Sequence, residues 1–110
     1  MTFDEYQKKA QTTLLSSGDK LLDVLHMALG ISGESGEVSE KLKKIIRDND
    51  GDLTKLDLES LKKELGDVLW HLAVMAELLD ISFNEIAEKN IEKLASRKER
   101  GVLKGSGSDR

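Results

Sequence analysis

Carboxylates gathered on helix faces are the residues of this sequence best equipped for chemistry. The 110-residue chain carries 21 acidic side chains, so one pair spaced i, i+3 means little. Several occur: Glu34/Glu37, Glu37/Glu40, Glu64/Asp67, Glu77/Asp80 and Glu85/Glu88. The face that each pair occupies separates them. With Glu34 at zero and about 100° per residue, Met27, Ile31, Val38, Leu42, Ile45 and Ile46 fall within roughly 20–120°. Glu34 borders this apolar stripe, Glu37 lies one step further round, and Glu40 points away. With Glu64 at zero, Leu61, Leu65, Val68, Leu72, Met75, Ala76 and Leu79 span about the same arc, and Asp67 sits beside Glu64. Two acid pairs therefore flank their stripes with one offset, and antiparallel packing would bring four carboxylates together.

Converging carboxylates need a positive charge among them. A hard divalent cation with oxygen ligands supplies it, and Mg²⁺ suits carboxylates, phosphates and water together. The alternative is that these acids are solvated helix faces. A third acid-bearing design, the ferritin-like di-metal site, needs Glu-x-x-His on two helices. Asp23/His26 approaches it only once, so that design is set aside. Asn90, Lys93 and Arg97 share a flank of the last helix, where an amide, an ammonium and a guanidinium can hold phosphate oxygens. Snorkelling on a core rim is the competing account of the two cations, and Asn90 could equally bond a neighbouring helix. His26 reads as a structural histidine or a substrate contact, and Trp70 as interface packing or a base-stacking ring. His71 lies between Glu64 and Asp67 in angle, yet a metal role for it is not favoured.

Helices must position these groups. Ala, Leu, Glu and Lys dominate, proline and cysteine are absent, and aromatics make up 4%, a composition that favours helix over strand. The periodicity predicts helices over 3–15, 21–47, 58–80 and 83–100. Ser16-Ser17-Gly18-Asp19 and Asp48-Asn49-Asp50-Gly51-Asp52 are the breaks between them. Asp57 is the predicted cap of the third helix, Ser82 with Glu85 a capping box, and Gly101 the final stop. Gly30, Gly33 and Gly36 inside the second helix each cost about 1 kcal/mol relative to alanine, which suggests close helix approach. They lack the strand-loop-helix setting of a phosphate-binding P-loop. Short connections favour antiparallel neighbours in an all-α, four-helix bundle-like fold. Residues 1–100 are expected to form its single domain, with 101–110 a tail that is flexible or ordered by substrate. A chain of this size gains stability by association.

The net charge of −4 and the lack of a basic block argue against a nucleic-acid polymer as partner. No apolar run reaches the length of a membrane span, and the N-terminus has no secretory pattern, so a cytoplasmic location is expected.

The motifs Gly33-Glu34-Ser35-Gly36-Glu37 and Glu64-Leu65-Gly66-Asp67-Val68-Leu69-Trp70 are followed by Asn90-Ile91-Glu92-Lys93-Leu94-Ala95-Ser96-Arg97 and Gly105-Ser106-Gly107. In this order they resemble the MazG-like family of all-α nucleotide pyrophosphohydrolases, from about Leu22 onward. The resemblance implies hydrolysis of nucleoside triphosphates to monophosphate and pyrophosphate with Mg²⁺, often also Mn²⁺. It implies Glu34, Glu37, Glu64 and Asp67 as catalytic metal ligands, one of the first pair also serving the attacking water. It also implies Lys93 and Arg97 on the phosphates with Asn90 nearby, and a homodimer or homotetramer with sites at subunit contacts. His71 departs from the pattern, which has an aromatic such as tyrosine there. House-cleaning of the nucleotide pool is the expected role. The alternatives are a narrow dUTP- or dCTP-specific hydrolase and, outside enzymes, a non-catalytic helical interaction module.

Overall fold

Every helix begins at a side chain that satisfies one of its free backbone N–H groups. A computed structural model describes residues 1–110, with α1 spanning Phe3–Gln11, α2 Lys20–Asn49, α3 Leu58–Leu78 and α4 Phe83–Glu99. Thr2, Asp19, Asp57 and Ser82 cap them in turn. Thr2 and Glu5 form a complete capping box, whereas at α4 the Ser82 hydroxyl accepts from the Glu85 N–H without the reciprocal bond. The stops follow the turn chemistry. Asp50 and Gly51 take positive φ after α2, Asp80 after α3 and Gly101 after α4. A short 3₁₀ turn, Leu53–Lys55, separates α2 from α3. The first helix is shorter than expected, because Thr12 and Thr13 turn their hydroxyls back onto the Lys9 and Ala10 carbonyls and end it there.

α3 is the central helix and packs against α1, α2 and α4, while α2 and α4 make no close backbone approach. The core forms around α3, with side chains from all four helices. Ala10, Met27, Ala73, Val74, Ala76 and Phe83 are buried, with Tyr6, Leu69 and Trp70 packed around them. Small residues at 73 and 76 let α1 come close, and the Trp70 indole N–H donates to the Ala10 carbonyl and the Thr13 hydroxyl at 3.1 and 2.8 Å. The expected α3 stripe is thus only partly internal. Leu65, Leu72 and Leu79 are exposed, as is Leu58 one heptad earlier. On α4, Ile86, Ile91 and Leu94 are exposed as well, so the bundle-like arrangement leaves its fourth helix projecting. The radius of gyration, 17.0 Å, exceeds the roughly 13 Å of a compact chain of this length. No helix is long and apolar enough to cross a membrane.

Candidate metal centre

α2 and α3 run antiparallel, and three juxtapositions mark their register: Lys41 with Glu64, Glu34 with Glu64 and Asp67, and the Gly30 backbone with the His71 ring. At the middle level, Glu34, Glu64 and Asp67 each offer a carboxylate oxygen, and these oxygens all lie within 4.8 Å of one another. Glu34 and Glu64 are half-buried and Asp67 is exposed, so the group opens to solvent at one side. Glu37, one turn beyond Glu34, is exposed and stands outside this cluster. Three of the four expected carboxylates therefore converge in the chain.

The cluster carries its own counter-charge. Lys41 Nζ lies 3.7 Å from Glu64 Oε1, a residue that the acid pattern alone does not single out. Its signal is position, two turns after Glu34 on the same helix. Tyr6 adjoins the acids from α1, and its phenol is pushed up by burial and then by the charge of Asp67.

The level below explains two sequence features together. A Cβ at Gly30 would overlap the His71 ring, so this glycine makes room for the imidazole between the helices. His71 Nδ1 is 2.7 Å from the Asp67 carbonyl oxygen, a contact that needs the proton on Nδ1, and it packs edge-on to Trp70. The chain thus fills with a histidine the place where its resemblance leads one to expect tyrosine. Around Gly33 and Gly36 no other group would meet an added Cβ. Gly30→Ala is therefore expected to lower stability by about 1–3 kcal/mol through overpacking. Gly33→Ala and Gly36→Ala should raise helix stability by up to about 1 kcal/mol each. Thermal unfolding of the three variants checks the order.

The remaining predicted residues lie elsewhere. Asn90 and Lys93 line an open groove of about 410 Å³ on α4, with Ile81, Glu85, Ile86 and Lys89. Arg97 is buried at the far end of the helix, beneath residues 107–108. None of the three pairs with the acids of α2 and α3. Trp70 belongs to the core and His26 is exposed near the start of α2. One turn before His26, Asp23 is buried and accepts from the Ser16 hydroxyl and the Ser17 N–H at 2.7 and 2.9 Å.

The Ser16 hydrogen bond, then that of Ser17, holds the Asp23 carboxyl below its ordinary value of 3.8. A depressed folded value means that this stabilisation is complete above 3.8 and fades as pH falls through the lower folded value. Asp23→Ala should therefore melt below the parent protein at neutral pH. The gap should shrink as the solution is taken below pH 3.8, as melting curves across the acid range would show.

The chain is of the all-α class, with a three-carboxylate cluster between antiparallel helices. The particular family follows from comparison. The profile described as the MazG nucleotide pyrophosphohydrolase domain matches residues 22–102, and the chain belongs to that family. It is similar to the Gene 37 protein of Mycobacterium phage L5, with 40% identity over 114 residues and all of both chains covered. No solved structure matches.

Proposed function

We propose that this protein is a divalent-metal-dependent hydrolase that converts nucleoside triphosphates to monophosphate and pyrophosphate, in keeping with a nucleotide-pool house-cleaning role. The observation that carries the reading is the convergence of Glu34, Glu64 and Asp67. Three carboxylates this close repel one another, and Lys41 offsets only part of that charge. An all-oxygen, partly hydrated donor set fits Mg²⁺, with Mn²⁺ as a substitute. These three residues would hold the ion, which when bound polarises a phosphoryl oxygen and lowers the pKa of water.

The other roles fall to the chain's own side chains. Glu37, exposed and outside the cluster, is assigned to a further metal contact or to orienting the attacking water. Lys93 and Arg97, with Asn90, neutralise the phosphates. Their helix makes no close approach to α2, so α4 of one copy is assigned to the site of another in a homodimer or homotetramer. The exposed leucine stripe of α3 and the apolar side chains of α4 support such an association, because rows of exposed large apolar side chains mark interaction surfaces. His26 and Trp70 stand further from the chemistry in this reading, as a rim contact and a core support.

The test is an assay of the purified protein against a panel of ribo- and deoxynucleoside triphosphates with Mg²⁺, resolving every phosphate product. Monophosphate with pyrophosphate, lost on adding EDTA, is the expected result, and the panel separates a broad hydrolase from one narrow for dUTP or dCTP. No turnover, together with no metal-dependent rise in melting temperature, would leave a helical interaction module instead.

A further inference from the structure

Arg97 is the one cationic side chain buried in the chain, 6% exposed, and it has no acidic partner within ion-pair distance. Its Nη2 donates to the Ser108 carbonyl at 2.6 Å and, more weakly, to the Gly107 carbonyl at 3.4 Å. Its Nε is buried with no hydrogen-bond partner at all. Burying a guanidinium against neutral carbonyls is costly, and an anion is the stronger partner for it.

The segment that covers Arg97 is held by bonds of the same kind. Arg110 donates to the carbonyls of Val102, Leu103 and Gly107 at 3.2, 3.0 and 2.7 Å. Arg100 donates to the Arg110 carbonyl oxygen at 2.7 Å. Gly105 and Gly107 turn the segment through φ of +122° and +89°, which glycine adopts without strain. No residue from 101 to 110 is buried, and Leu103 is exposed. Such a segment, fastened by solvent-accessible polar bonds with little apolar anchorage, sits at the low end of local stability.

We infer that residues 101–110 form a displaceable strap, whose Gly107 and Ser108 carbonyls occupy the Arg97 guanidinium until a polyphosphate anion takes their place. Lys93 is one turn away on the same face of α4 and lines the open groove. An anion held by Lys93 therefore reaches Arg97 when the strap leaves, and gains both freed Nη2 and the unpartnered Nε. The inference rests on the phosphate role proposed above for Arg97, and it adds that binding and strap release are one event.

Limited proteolysis of the full chain by a lysine-specific endoproteinase, with inorganic pyrophosphate in EDTA, tests this without the metal centre, because Lys104 lies within the strap. Pyrophosphate, whose binding calorimetry measures, should raise the rate of cleavage after Lys104 by about tenfold or more. Arg110→Gln removes three of the strap's ties and leaves Arg97 intact. It should raise that cleavage without ligand and tighten pyrophosphate binding by about threefold or more, because less of the protein starts closed. Arg97→Gln should abolish both binding and response. Should it fail to fold, Arg97→Lys, which keeps the charge but loses the fork, should bind pyrophosphate more weakly while its strap is cut faster. The inference is overturned by absent binding at millimolar pyrophosphate, by binding that leaves cleavage after Lys104 unchanged or slower, or by unaltered affinity in Arg110→Gln. Because no turnover is measured, these outcomes are independent of whether the triphosphate assay succeeds.

Discussion

Glu64→Gln is expected to lower kcat/KM for triphosphate hydrolysis by about three orders of magnitude, the scale of several kcal/mol of transition-state stabilisation. Glutamine keeps the shape of the side chain and removes one charge from the set formed by Glu34, Glu64 and Asp67. The sign of the accompanying stability change distinguishes a lost function from a damaged fold. Without metal, the three carboxylates repel, with Lys41 close to Glu64 alone. Removing one acid should leave the metal-free variant at least as stable as the parent. Mg²⁺ should then raise the melting temperature of the parent and leave that of the variant almost unmoved. Glu37→Gln, which alters a carboxylate outside the cluster, should depress turnover with a smaller loss of metal-induced stabilisation. Melting curves with and without Mg²⁺, beside steady-state kinetics, check all four statements. A Glu64→Gln variant retaining both activity and metal response would remove the carboxylate cluster from the mechanism.

The acid cluster was legible because it depends on a relation within each helix and a simple relation between two of them. An i, i+3 spacing sets each pair on one face, and a short connection makes α2 and α3 antiparallel. The Asp19, Asp57 and Ser82 caps were legible for the same local reason, although Asp19 was visible only as part of a break. What the pattern missed depended on packing. α3 is apolar almost all round from Val68 to Ala76, so its wheel did not show which side would meet α1 and which would remain exposed. The core formed on Ala73, Val74 and Ala76, leaving Leu65 and Leu72 outside. Lys41 carries no such signal, because a lysine among so many charges becomes distinctive only when its distance to Glu64 is known. The significance of Gly30 needed His71, which lies opposite it in space and far from it in sequence. Arg97 is visible in the sequence by its charge, but its carbonyl partners lie in a segment with no periodic signal at all.

Gln7→Leu should destabilise the fold by about 3 kcal/mol, a large effect for one polar side chain that the sequence gives no reason to notice. Gln7 is 3% exposed and fastens α1 to the joint between α3 and α4. Its Nε2 donates to the Ile81 carbonyl at 2.8 Å and lies 3.5 Å from that of Ala73, while its Oε1 accepts from the Phe83 N–H at 3.1 Å. Leucine is similar in size, so the loss comes from polarity. It leaves a backbone donor and acceptor at the joint without their partner, each costing about 1–3 kcal/mol. Asp4 makes a second, half-buried fastening, accepting from the Ser82 hydroxyl at 2.8 Å and the Asn84 N–H at 3.0 Å. Because Asp4 can still hold the start of α4, the Gln7 variant should lose stability without losing helix content at low temperature. Its melting temperature should fall by about 10 °C or more on the scale set by a domain of this size. Circular dichroism before and during heating separates the outcomes. An unchanged melting temperature would mean that water replaces the amide without cost and that the joint is held by Phe83 packing and Asp4 alone.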